Sequence, residues 1–86
     1  MTEIDQERWL RSRLRRYSDP GARAAEADLA AVLRRLPPED RSLLAMRYVA
    51  DLDATQIGRA TGMSASGVRS RLSRLLARLR EELTDD

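Results

Sequence analysis

Between residues 52 and 80 the chain reads L-D-A-T-Q-I-G-R-A-T-G-M-S-A-S-G-V-R-S-R-L-S-R-L-L-A-R-L-R, and no other stretch limits the fold as tightly. Asp53 followed three residues later by Gln56 has the spacing of a capping box, in which each side chain satisfies the other's backbone N–H. The spacing predicts a short helix over 54–61. Gly62 stands where a left-handed residue would end that helix. Ser64 then suits the N-cap of a second helix over 65–83. At about 100° per residue, Val68, Leu72, Leu75, Leu76, Leu79 and Leu83 fall on one arc of it. Ser66, Arg69, Ser70, Ser73, Arg74 and Ala77 fall on the opposite arc. One face is therefore core, and the other is small, polar and basic.

The formal net charge is only +2, but all 16 basic residues are arginine and they are unevenly spread. Six of them (Arg59, Arg69, Arg71, Arg74, Arg78 and Arg80) lie within 54–80, where no acid occurs. The acids gather at Glu39-Asp40, at Asp51 and Asp53, and in the tail from Glu81. A positive module inside a nearly neutral chain points to a polyanionic partner, although a solvated arginine face has the same composition.

The remainder reads as further helix. Over 1–17, Leu10, Leu14 and Tyr17 recur at helical spacing beside Trp9, with acids early and arginines late as the helix dipole favours. Ser18-Asp19-Pro20-Gly21 breaks this segment. Its apolar stripe is thin, so residues 1–21 are expected to be an N-terminal helix or linker and 22–86 the main domain. A second helix over 22–36 carries Leu29, Val32, Leu33 and Leu36 on one stripe. Pro37 ends it, because the residue before a proline is pushed out of the α region. Pro38 can open the third helix, where a missing N–H costs nothing. That helix is expected to run to about Ala50, with Leu43, Leu44, Met46, Tyr48 and Val49 as core contacts.

Two short-linked helices of this kind let the second project its outer face into a major groove while the first lies across the backbone. Gly58 is small where the two helices would touch, and Ile57, Met63 and Val68 would face their shared core. On the outer face the small Ser66, Gly67, Ser70 and Ser73 permit close approach. Arg69 and Arg74 can bond O6 and N7 of guanine bidentately, which discriminates by about 1–3 kcal/mol. Serines suit phosphates or base edges. Arg71 and Arg78 flank the face and suit phosphates, and Arg59 would meet the backbone from the preceding helix. Plainer roles stand beside these: Ser64 as a cap, Trp9 in packing, and Arg78 or Arg80 paired with Glu81, Glu82 or Glu39.

Other chemistries find little support. The chain has no histidine and no cysteine, which removes the usual zinc ligands, disulfides and the commonest nucleophile–base pairs. No metal or other cofactor and no enzymatic activity are expected. No apolar run approaches the roughly 18 residues of a membrane span, and the acidic start is not a secretory signal. The expectation is a cytoplasmic protein.

Leu36-Pro37, Arg41, Leu44 and Arg47-Tyr48, followed by Ile57, Gly62, Ser64, Val68-Arg69-Ser70-Arg71-Leu72, Arg74 and Leu79-Arg80, form a set. That set resembles region 4 of bacterial sigma factors of the sigma-70 family, specifically the extracytoplasmic-function group. The resemblance covers a little over half the chain. Together with the helical reading it implies an all-α fold. This would be a small bundle of about five helices holding a helix-turn-helix, winged-helix-like but without a wing. It implies recognition of the −35 element of double-stranded promoter DNA and docking on the flap of the RNA polymerase core β subunit. An anti-sigma factor is a further candidate partner. Position by position, Arg69, Ser70, Ser73 and Arg74 fall where such a domain meets bases or phosphates, with Arg71 at a neighbouring basic position. The chain departs from the family pattern at Gly58, Thr61, Gly67 and Leu75, where alanine, an apolar residue, threonine and alanine are usual. Residues 1–36 do not resemble the preceding domain that opens the −10 element, so recognition and docking, without initiation, are expected. Two rivals share the plan. One is the DNA-binding domain of LuxR-type regulators, which usually carries T-V-K-x-H in its recognition helix. The other is a helical module that binds polymerase or an anti-sigma factor without reading DNA.

Overall fold

The computed structural model describes residues 2–19, 21 and 27–83. These residues form helices α1 (Glu3–Ser18), α2 (Ala27–Arg35), α3 (Pro38–Leu44), α4 (Ala54–Thr61) and α5 (Ala65–Leu83), with a π-helical segment (Ala45–Val49) directly after α3. No strand occurs among the described residues, so the fold is all-α as expected. Two compact units divide the chain, Pro37–Leu75 and Met1–Leu36 with Leu76–Asp86. Helix α5 contributes to both.

In the unit Pro37–Leu75 the buried side chains are Leu43, Leu44, Ile57, Val68, Leu72 and Leu75. Helix α3 starts on Pro38, with Glu39 and Asp40 in its first turn beside the positive helix end. It does not continue as a regular α-helix to Ala50. Its bonding widens, and Ala50 N–H donates to Ala45 O, five residues back, at 3.0 Å. Leu52 N–H then closes the end on Met46 O at 2.9 Å. The chain reverses at Asp51, whose φ of 59° is left-handed, a conformation that aspartate tolerates better than most residues. The widened turn also overturns part of the expected core. An extra residue per turn rotates the following side chains off the apolar stripe, leaving Met46 and Tyr48 half-buried and Val49 84 % exposed.

Helix α4 is bounded as its sequence predicts. Gln56 N–H donates to Asp53 Oδ1 at 2.8 Å, and Asp53 N–H donates to Gln56 Oε1 at 2.9 Å, completing the capping box. At the other end Gly62 has φ 81° and its N–H donates to Gly58 O at 2.8 Å. Thr61 adds a bond the sequence did not advertise, since its hydroxyl donates to Ile57 O at 2.8 Å. In α5 the Ser64 hydroxyl accepts from Gly67 N–H at 3.0 Å, which is the capping bond expected of it.

In the other unit the buried side chains are Leu10, Leu29, Val32, Leu36, Leu76 and Leu79. Thr2 caps α1 by accepting from Asp5 N–H at 3.1 Å. Asp19 lies just beyond its last turn and accepts from Gly21 N–H at 3.0 Å, a local turn bond. Helix α1 is one residue longer at its end than expected, and its Leu10 is completely buried. Of the helix expected over 22–36, residues 22–26 lie outside the described residues, as does the expected break at Pro20. In α2 the stripe is Leu29 and Val32, followed by Leu36, with Leu33 half-buried.

Candidate nucleic-acid interface

The turn between α4 and α5 is held from inside by an absence of side chain. A Cβ built on Gly58 would stand 2.5 Å from Met63 O and 3.6 Å from Ala65 N. Gly58 is thus required by the turn's own backbone, which folds back over α4, and not by a crossing of two side-chain surfaces. Gly62 answers a different demand, its left-handed φ, with nothing within 4 Å of the position a Cβ would take. Both glycines are needed to bring the start of α5 so close to α4. Gly67 is looser. A Cβ there would meet Ser64 Oγ at 3.0 Å, so a larger residue would press on the cap of α5 without meeting backbone.

On the helix so positioned, Ser66, Arg69, Ser70 and Arg74 are exposed and Ser73 is half-buried. They occupy the arc opposite Val68, Leu72 and Leu75, all buried, so the division into core and outer faces is present as read from the spacing. Among the described residues Arg69 and Arg74 make no ion pair, and Arg59, exposed in the last turn of α4, makes none either. Ser66 Oγ lies 3.4 Å from Ser64 Oγ, so its hydroxyl shares the cap region.

Arg71 is placed differently. Its Nη2 lies 3.0 Å from Asp40 Oδ1 and its Nε donates to the same oxygen at 3.1 Å. The Asp40 side chain is only 15 % exposed, and that of Arg71 38 %. A charge-assisted contact of this kind is worth up to about 3 kcal/mol when shielded, and about 1 kcal/mol once partial exposure and screening are counted. Two N–H groups of the five on the guanidinium are engaged, leaving donors for an anion. Arg71 therefore ties α5 to the first turn of α3, and Asp40, which the sequence assigns only to the helix dipole, is the partner of a candidate site residue. Thirty-one residues separate the pair. No local pattern announces it.

Arg78 belongs to the other unit. Its Nε lies 3.5 Å from Glu82 Oε2, one turn on, and Glu82 Oε1 also lies 3.7 Å from Arg35 Nη2. The pair is the plainer role foreseen for Arg78, and both partners are more than a third exposed, so it contributes little. Arg80 has an aromatic neighbour that the sequence does not indicate. Its guanidinium stands over the Trp9 ring, 5.1 Å from the centroid, and that of Arg13 stands 5.8 Å from it. Cation–π attraction contributes to this placement, because a flat electron-rich face draws a guanidinium that has already lost part of its water.

Among the described residues no group of three His, Cys, Asp or Glu side chains comes together that could hold a metal ion. No described helix is long and apolar enough to cross a membrane.

The arrangement is a compact helix-turn-helix whose second helix turns an arginine–serine face outward. The family model described as sigma-70, region 4 matches residues 26–79. The chain is similar to the RNA polymerase sigma-E factor of Streptomyces coelicolor, with 45 % identity over 60 residues, 70 % of this chain and 34 % of that protein. It is similar to the factor of the same name from Streptomyces avermitilis, with 43 % identity over 60 residues, again 70 % and 34 % of the two chains. It also resembles the RNA polymerase sigma factor FliA of Pseudomonas aeruginosa, with 38 % identity over 60 residues, 70 % of this chain and 24 % of that one. The match thus spans about a third of the length of the sigma-E factors. No solved structure matches the chain. With more than half of its residues inside the family match, the chain belongs to the sigma-70 region 4 family.

Proposed function

We propose that this chain binds the −35 element of promoter DNA as the region 4 part of a sigma factor and docks on the RNA polymerase core. The observation that carries this reading is the outer face of α5, where Arg69 and Arg74 stand exposed among small serines on a helix fixed by a glycine-closed turn. Long donors between small side chains let a helix enter a groove about 12 Å wide and still reach base edges. In this reading Arg69 and Arg74 contact bases, while Ser66, Ser70 and Ser73 bond phosphates or base edges. Arg59, Arg71 and Arg78 meet the backbone. Residues 22–86 form the recognition domain, with 1–21 attached to it. The names of the similar proteins support polymerase as a partner. Its β flap and an anti-sigma factor are proposed as further contacts, and the cytoplasm as the location.

Duplexes selected from a random pool, with and without polymerase core, supply the test. Arg69→Ala and Arg74→Ala should each weaken binding to the selected duplex by about 1–3 kcal/mol more than to a scrambled one. Equal losses on both duplexes would leave phosphate contact only. Selection of no duplex under either condition would favour a module that binds protein without reading DNA.

A further inference from the structure

A second arginine–serine face lies on α1. Arg11-Ser12-Arg13-Leu14-Arg15-Arg16 matches Arg69-Ser70-Arg71-Leu72-Ser73-Arg74 at every position but one. The registers of burial agree in part, although Arg11 and Leu14 are half-buried where Arg69 is exposed and Leu72 buried. Leu10 and Val68, which precede the two runs, are each completely buried, and Ser12 and Ser70, Arg16 and Arg74 are exposed in pairs. The run is too short to be a structural repeat, but at about 100° per residue it gives α1 an outward arc of the same design as that of α5. Two positions on the arc differ. Where α5 has Ser66 and Ser73, α1 has Arg8 and Arg15, both exposed.

That difference decides what the face can do. On α5 the small serines let the helix backbone approach a groove floor. On α1 the centre of the arc carries two long guanidinium side chains, which hold the helix off any surface it meets. Arg8 and Arg15 are seven residues apart, so their Cα atoms are about 10.5 Å apart along the axis and nearly on one line. Guanidinium groups spaced along a line suit the phosphates of a nucleic-acid backbone, which accept in pairs from arginine. We infer that the outer face of α1, centred on Arg8 and Arg15, binds the phosphate backbone of duplex DNA without reading its sequence.

The surroundings favour this occupant over a lipid surface. The apolar side of α1 is used inside the protein, with Leu10 buried and the Trp9 ring covered by Arg13 and Arg80. A membrane-binding basic helix needs that side for the acyl boundary. Ile4, 66 % exposed, is the one large apolar side chain that the described part of α1 presents to solvent. From Arg8 to Ser18 there is no acid; Asp5 lies on the same arc in the first turn, and Glu7, half-buried, directly precedes Arg8.

The test uses the full chain and two duplexes, one selected and one scrambled, titrated across a range of salt. Arg8→Ala with Arg15→Ala should weaken both duplexes by the same factor and flatten the slope of log K against log salt by about 1.8, since each phosphate contact adds about 0.9. The ratio of the two affinities should not change, which separates this surface from that of α5. Because the effect is read on the scrambled duplex too, it is measurable even if the chain selects no sequence. Arg34→Ala with Arg35→Ala, two exposed arginines at the end of α2, removes the same formal charge and serves as the comparison. An unchanged slope in the α1 variant, or an equal change in the α2 variant, overturns the proposal. So does loss of binding to phosphatidylserine vesicles in the α1 variant with duplex binding intact.

Discussion

The two ends of α5 carry the same residues to different ends. In its first eleven residues, which belong to the unit Pro37–Leu75, Arg69 and Arg74 face solvent and Arg71 is fastened to Asp40. In its last eight, Arg78 pairs with Glu82, and Arg80 is laid over Trp9. The helix is continuous and arginines recur every two to four residues along both stretches, so composition does not separate the two. Neighbours do. Where acids and an aromatic ring are within reach, arginine side chains are drawn back to the protein, and where they are absent the charge stays available to a partner.

The largest expected effect strikes the buried side of this helix. Leu79→Ala removes a completely buried side chain from the second stretch and should cost about 2–5 kcal/mol. Val68→Ala removes less, from a side chain equally buried in the first stretch. Urea unfolding followed by Trp9 fluorescence and by circular dichroism would show whether the two losses appear in one transition. Separate transitions would mean that the two units open independently.

Gly58→Ala comes next. Helix propensity alone favours alanine by about 1 kcal/mol. The Cβ would meet Met63 O at 2.5 Å, and backbone must move to admit it, at a cost of about 1–3 kcal/mol. The clash should win, giving a net loss of stability and weaker binding through a displaced α5. A variant of equal or higher melting temperature would show that the turn yields cheaply.

Arg71 and Arg74 then sharpen the comparison within the first stretch. Arg71→Ala should lower stability by about 1 kcal/mol, and a double-mutant cycle with Asp40→Ala should return a coupling of about 0.5–1 kcal/mol. Arg74→Ala should leave stability within about 0.5 kcal/mol while weakening duplex binding. A reversal of these two phenotypes would mean that the ion pair with Asp40 does not fasten the helix.

The smallest effect belongs to Arg78. Arg78→Ala should barely alter stability, since its partner Glu82 keeps Arg35 beside it. If Arg78 reaches a phosphate, the salt slope of binding falls by about one and both duplexes weaken alike. An unchanged slope would confine Arg78 to its pair with Glu82.

The elements from α4 onward were readable because their boundaries are set by bonds between residues at most four apart. Asp53 with Gln56, Gly62 with Gly58, and Ser64 with Gly67 each settle a helix end locally. The division of α5 into leucine and arginine–serine faces was readable for a similar reason, because rotation per residue is nearly constant. The π-helical segment was not. Residues 45–49 continue an apolar pattern compatible with an ordinary helix, and only the reversal at Asp51 and the closure of Leu52 on Met46 reveal the wider turn. Val49 was placed in the core by periodicity and is instead exposed.

By itself, then, the sequence determined where most helices start and stop, which face of α5 is apolar, and that a basic face opposes it. These are consequences of short-range hydrogen bonds and of helical geometry. Tertiary structure decided which arginine does what. Asp40 reaches Arg71 across thirty-one residues, the Trp9 ring meets Arg80 from the far end of the chain, and the backbone of Met63 would have to shift to admit a Cβ at Gly58. The reason is that charge and steric fit act through space over a few ångströms, and which residues come that close is settled only when the helices pack.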